Sequence, residues 1–231
     1  MRTELDKIIA NIKPLCKTAM DEAKKHQAKL AKPPGSLGKL EDISVQFAGI
    51  TGKLHNNIKK KHLLVFAADN GVVAEGVSSA PQSVTLKQTI NLTKGITGAS
   101  VFAAHFGCGI TVCDVGINAD VKNSDVIDKK IAYGTNNIAK GSAMTKEQAI
   151  KAIITGARLA KSTDANIIGV GEMGIGNTTT ASAVLSVLLD VDAEKVTGRG
   201  AGITDSAFRK KKDVIKQAIK INNPDKNDVL D

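Results

Sequence analysis

The densest chemistry in the sequence lies in Gly169-Val170-Gly171-Glu172-Met173-Gly174-Ile175-Gly176-Asn177-Thr178-Thr179-Thr180. A short apolar run leads into glycines and then into amide and hydroxyl side chains that open a helical pattern. Glycine lets the backbone approach a ligand closely, and the unpaired N–H groups and dipole of a helix start favour an anion. Gly174, Ile175, Gly176, Asn177 and Thr178 are therefore expected to cradle a phosphate, with Asn177, Thr178 and Thr179 capping the helix. Glu172 places a carboxylate inside this anion loop, which loses electrostatic energy unless the charge is used. It could hydrogen-bond a sugar hydroxyl, stabilise a developing cation or accept a proton; a plain surface glutamate is the competing reading. A second glycine cluster, Gly198-Arg199-Gly200-Ala201-Gly202, could wrap the other side of the same ligand. Lys211, on the helix that follows, could reach the phosphate, against the alternative of a solvated lysine.

Two nucleotide motifs can be tested on this loop. Gly169-x-Gly171-x-x-Gly174 matches the dinucleotide fingerprint formally, but that fingerprint needs an acidic residue about 20 positions on, at the end of a second strand. Asp190 and Asp192 lie at that distance and end a helix instead. No Gly-Lys-Ser/Thr occurs, so a triphosphate loop is absent and a monophosphate cradle remains. His26, His55, His62 and His105 show no ligand spacing with one another or with Cys16, Cys108 and Cys113. Neither a metal, a cofactor, a disulfide framework nor a Cys–His nucleophile is expected.

These residues need elements to position them. Leu63–Ala68, Ile110–Val115 and Asn166–Val170 are continuous apolar runs, the pattern of strands buried on both faces of a parallel sheet. Helical patterns fall between and after them, at roughly 83–105, 145–161 (with a Thr145/Gln148 capping box), 177–190 and 204–221. The alternation predicts an α/β fold: an open, mostly parallel sheet with helices on both faces, Rossmann-like and three-layered. Residues 1–60 read as a small helical N-terminal segment packing on the main or a partner domain, ahead of an α/β domain over 61–231. Leu5, Ile8, Ile9 and Ile12 recur at helical spacing, as do Leu40, Ile43, Phe47 and Ile50; Lys32-Pro33-Pro34-Gly35-Ser36-Leu37-Gly38 forms a rigid connector. Residues 222–231 read as a turn.

Composition narrows the function classes. With 231 residues, 42% of them hydrophobic and 24% charged, the chain has the apolar content for a core. No run approaches the roughly 20 apolar residues of a membrane span, and no signal core opens the sequence, so a cytoplasmic protein is expected. The net charge of +9 attracts polyanions without specificity. With no Trp, one Tyr and five Phe, base-stacking platforms are missing, so nucleic acid is not the expected partner. Lysine runs such as Lys59–Lys61 and Lys210–Lys212 read as solvated faces.

Four segments carry a family resemblance: Lys32-Pro33-Pro34-Gly35-Ser36-Leu37-Gly38-Lys39-Leu40-Glu41; Ala68-Asp69-Asn70-Gly71-Val72 with Glu75-Gly76-Val77; Gly171 to Thr179; and Gly198 to Gly202. In order and approximate spacing the sequence resembles the nicotinate-nucleotide:dimethylbenzimidazole phosphoribosyltransferases. The resemblance implies transfer of 5-phosphoribose from nicotinate mononucleotide to 5,6-dimethylbenzimidazole, giving α-ribazole 5′-phosphate and nicotinate on the route to cobalamin. It implies these small molecules as partners, no cofactor, and a homodimer. It assigns the phosphate to Gly174–Thr178 and Lys211, an active-site carboxylate to Glu172, the nicotinate side to Gly200 and Ala201, and the base pocket to Gln88 and Ala80. Some relatives have serine at the position of Ala80, which leaves the preferred base open. Family members continue past the position of Asp231 and carry there the glutamate regarded as general base, so weak turnover is expected unless Glu172 takes that role. A dinucleotide-dependent oxidoreductase and a non-catalytic nucleotide- or azole-binding module are the alternatives.

Overall fold

Strand β1 (Lys61–Ala68) forms from the first apolar run and pairs on one side with β2 (Cys108–Gly116) and on the other with β4 (Ile167–Met173). A short strand β3 (Val126–Asp128) adds to β2, every pairing is parallel, and the order is β3-β2-β1-β4. The central strands are apolar because both faces are covered. On one face Val65 and Val112 pack with Leu92 of α4 (Val84–Thr93), joined by Leu63, Ile110 and Met173. On the other, the Phe66 ring lies against Gly156 of α6 (Lys146–Ser162). Thr145 and Gln148 form the expected capping box at the start of α6.

The computed structural model describes all 231 residues, which form two compact units: Thr3–Lys59, and Lys60–Asp231 together with Met1–Arg2. In the larger unit, α7 (Asn177–Leu189), α8 (Ala193–Val196) and α9 (Asp205–Asn222) bury Ala183, Ala193 and Ile215 against one another. The smaller unit contains α2 (Lys17–Gln27) and α3 (Lys39–Thr51), whose Ala19, Ala23, Val45 and Ala48 form its core; the N-terminal helix α1 spans Arg2–Ala10. The proline-rich connector between α2 and α3 is tied down by Lys32 and Leu37, which both donate to Glu41 Oε1, at 2.7 and 3.1 Å.

Four local expectations are corrected. The pattern over 83–105 is two helices, α4 and α5 (Gly98–His105), because Gly95 turns at φ +74° and Thr97 with Ser100 builds a fresh capping box. Strand β3 is three residues long and too short to show a periodicity. The run ending at Val170 is an edge strand and not one buried on both faces: Ile167 is 46% and Val170 78% exposed. In α3 the stripe Leu40, Ile43 and Ile50 is exposed, and the helix buries Val45, Ala48 and Gly49 instead. Small residues win there, since a Cβ on Gly49 would stand 2.7 Å from Met20 Cγ.

The strand order fixes where a ligand can enter. The chain steps from β1 outward to β2 and β3, then returns to lay β4 on the opposite side of β1. The carboxyl ends of β1 and β4 therefore flank a topological switch point, the usual ligand crevice of open α/β sheets. Beside it the loop after β2 is braced by a buried ion pair. Asp114 accepts from Gly116 N and Ile117 N (3.0 and 2.8 Å), and its other oxygen meets Lys130 Nζ at 2.7 Å. Removing one member of such a pair strands the other in the interior. Lys130→Met is expected to lower unfolding free energy by about 3 kcal/mol, read by urea denaturation; a loss below experimental error would refute the role given to the pair.

Candidate active site

Strand β4 delivers its chain end into the crevice, where Gly174-Ile175-Gly176 links it to α7. A Cβ at Gly174 would lie 2.1 Å from Ala68 O and 2.6 Å from Glu172 Oε1, so only hydrogen fits. Gly176 turns at φ +88° and forms the N-cap of α7. Within the turn Asn177 N donates to Gly174 O (3.1 Å) and Thr179 N to Gly176 O (2.9 Å), whereas the N–H groups of Gly176 and Thr178 meet no protein acceptor. Those two donors lie at the positive end of a 13-residue helix, a setting that favours an anion.

Of the side chains expected to cap α7, Asn177 and Thr178 are engaged elsewhere and the buried Thr179 Oγ1 has no partner, so the helix has no side-chain cap. Asn177 Nδ2 donates to Glu172 Oε2, and Thr178 Oγ1 accepts from Lys211 Nζ at 2.7 Å. Lys211 departs from the solvated-lysine reading, being 1% exposed. Its ammonium also donates to Gly198 O at 2.9 Å, no carboxylate pairs with it, and burial pulls its pKa below the ordinary lysine value. Lys212 departs from that reading too, pairing with Glu194 at 2.6 Å. Gly200, at φ +57°, comes so close that a Cβ there would sit 3.0 Å from Thr178 Oγ1 and 3.7 Å from Lys211 Nζ. The Gly198–Gly202 segment thus lies against the start of α7, with Gly200 and Ala201 exposed.

Glu172 sits at the exposed end of β4, yet the protein around it raises its carboxyl above the ordinary value, outweighing the lowering by the Asn177 hydrogen bond. It lines a cavity of about 310 Å³ with Gln88, Leu63, Val65, Leu92 and Met173. An apolar chamber with an amide and a carboxylate on its wall suits a small, largely apolar ligand that carries a polar group. Ala80 does not line this chamber. Leu63 and Val65 read as buried strand positions in the sequence, and nothing in their pattern separates chamber wall from core. A larger cavity of about 610 Å³ lies in the smaller unit, but its Lys32 and Glu41 satisfy each other. Gly169 and Gly171 fall inside β4 and not in a phosphate turn, which removes the dinucleotide fingerprint.

The sequence profile of the phosphoribosyltransferase family matches residues 12–231, and the chain belongs to that family. More closely, it is 46% identical over 230 residues to the nicotinate-nucleotide–dimethylbenzimidazole phosphoribosyltransferase of Clostridium tetani, covering 98% of this chain and 64% of that protein. It is 48% identical over 229 residues to the enzyme of the same name from Ruminiclostridium cellulolyticum, covering 98% and 65%. The solved structure of the nicotinate-nucleotide-dimethylbenzimidazole phosphoribosyltransferase from Thermus thermophilus superposes with a TM-score of 0.82 at 35% identity, over 88% of this chain and 61% of that one. The chain thus spans somewhat less than two thirds of the length of these relatives.

Lys211 provides a direct test. Replacing a buried, unpaired charge by an apolar side chain of similar length is neutral or stabilising, while a charge-assisted contact to an anion is lost. Lys211→Met is expected to retain or raise the urea midpoint and to weaken binding of a sugar phosphate about 10- to 100-fold by calorimetry. Unchanged affinity would remove Lys211 from the anion site.

Proposed function

We propose that the chain binds nicotinate mononucleotide and 5,6-dimethylbenzimidazole and transfers the 5-phosphoribosyl group between them, forming α-ribazole 5′-phosphate and nicotinate. One observation carries the reading: the unpaired Gly176 and Thr178 amides and the uncountered Lys211 ammonium stand beside a chamber walled by Gln88 and Glu172. The two amides and Lys211 hold the phosphate, Gly200 and Ala201 flank the nicotinate ring, and the azole lies in the chamber. Ala80 is assigned to the approach to that chamber through the resemblance alone. The azole nitrogen lone pair forms the new bond to the anomeric carbon from the face opposite nicotinate. The bond to the pyridinium nitrogen breaks, and its electron pair neutralises the departing ring. A β-nucleotide becomes an α-product, with inversion in a single displacement. The azole N–H proton passes to Glu172, whose raised pKa brings it nearer to neutrality than an ordinary carboxylate. A homodimer belongs to the same reading through the resemblance, and a cytoplasmic location accompanies it as the expectation drawn from the sequence.

The test is formation of α-ribazole 5′-phosphate from the two substrates by the purified chain. A carboxylate base works only when ionised, so kcat is expected to climb as pH rises through the elevated Glu172 pKa and then level off. Glu172→Gln should lower kcat about 100-fold or more and flatten that limb, with nucleotide affinity little changed. Binding of both substrates without turnover would leave a binding module, and failure to bind the nucleotide would overturn the reading.

A further inference from the structure

Ile175, at the apex of the anion loop, is held through both of its backbone polar groups by side chains from two other elements. Its N–H donates to Thr85 Oγ1 at 3.0 Å, and its carbonyl accepts from Asn70 Nδ2 at 3.2 Å. Thr85 is fully buried on α4, and Asn70 is 8% exposed just beyond β1. Asn70 Oδ1 also accepts from Thr180 Oγ1 at 3.2 Å, so a single side-chain amide ties the loop to the first turn of α7. Thr180 Oγ1 also lies 2.8 Å from Asn177 O and shares its one proton between that carbonyl and Asn70 Oδ1, whereas Thr89 bonds to the Thr85 carbonyl and leaves the Thr85 side chain to Ile175.

A turn flanked by Gly174 and Gly176 has little steric restriction of its own. Rotation of the Ile175–Gly176 peptide would swing its N–H, that of Gly176, out of line with Thr178. One side-chain bond on each of two successive peptide units, Gly174–Ile175 and Ile175–Gly176, both partly buried, removes that freedom. We propose that Asn70 and Thr85 are positioning residues that hold the Gly176 and Thr178 amides on a common anion, rather than residues that only stabilise the fold. The identity of that anion as the phosphate of nicotinate mononucleotide rests on the function proposed above.

The experiment uses the full chain and the variants Thr85→Val, Thr85→Ser and Asn70→Ala. Calorimetry measures nicotinate mononucleotide and, separately, dimethylbenzimidazole, while amide hydrogen exchange is followed through residues 174–180. Thr85→Val and Asn70→Ala are each expected to weaken the nucleotide about tenfold, with dimethylbenzimidazole affinity retained and Ile175 and Gly176 amides exchanging faster. Thr85→Ser, which keeps the acceptor, should restore both. Folded variants that bind the nucleotide as the parent does, or that weaken both ligands alike, overturn the proposal. If the parent chain binds no nucleotide, the functional reading fails separately. Inorganic phosphate and the exchange rates then decide the clamp: unchanged rates in Thr85→Val refute it. Should Thr85→Val not fold, Asn70→Ala is read in the same way.

Discussion

A lysine ammonium buried without a carboxylate is the constraint around which the larger unit is organised. Such a charge is expensive in the interior unless something compensates it. Lys211 reaches this position because α9 carries Lys211, Val214, Ile215 and Ala218 on one buried face. The periodicity that packs Val214 against Val72 and Ile215 against Ala183 also drives the lysine inward. Its two protein partners, Thr178 Oγ1 and Gly198 O, are neutral. The anion proposed at the start of α7 would supply the missing counter-charge, and the helix dipole acts in the same direction.

The sheet order determines what else can stand near that charge. With β4 returned to the far side of β1, the strand ends at Ala68 and Met173 are neighbours, and the chain after each enters one crevice. Close packing between Gly174 and Ala68 sets the loop down on the sheet itself. Glu172, one residue before the end of β4, is held at the crevice wall by Asn177. The same face of the sheet that packs Val65 and Val112 under α4 opens at its edge into the chamber lined by Gln88. Anion site and apolar chamber are thus two consequences of one connection rule.

Much of this was legible in the sequence. Continuous apolar runs marked the three longer strands, and the glycine-to-threonine transition at 174–180 marked the turn from β4 into α7 because all its parts are contiguous. The proposed activity comes through resemblance. What stayed hidden depends on tertiary contact. In the Lys210–Lys212 run three identical side chains differ only in their angle to Val214 and Ile215, three and four residues beyond Lys211; that offset was the available signal. Asn70 stood in a segment marked as a strand end without any role attached, and Thr85 is a mid-helix threonine with no local peculiarity. Their partner is a peptide 105 and 90 residues away. The exposed stripe of α3 misled for the opposite reason, since large apolar residues outweigh alanine and glycine in a pattern but not in close helix packing.

Helix α4 carries Thr85, which touches the anion loop, and Gln88, which faces the chamber. Three residues on a helix advance about 4.5 Å along its axis. The rod therefore acts as a gauge, fixing the spacing between the loop that Thr85 holds and the chamber wall that Gln88 forms.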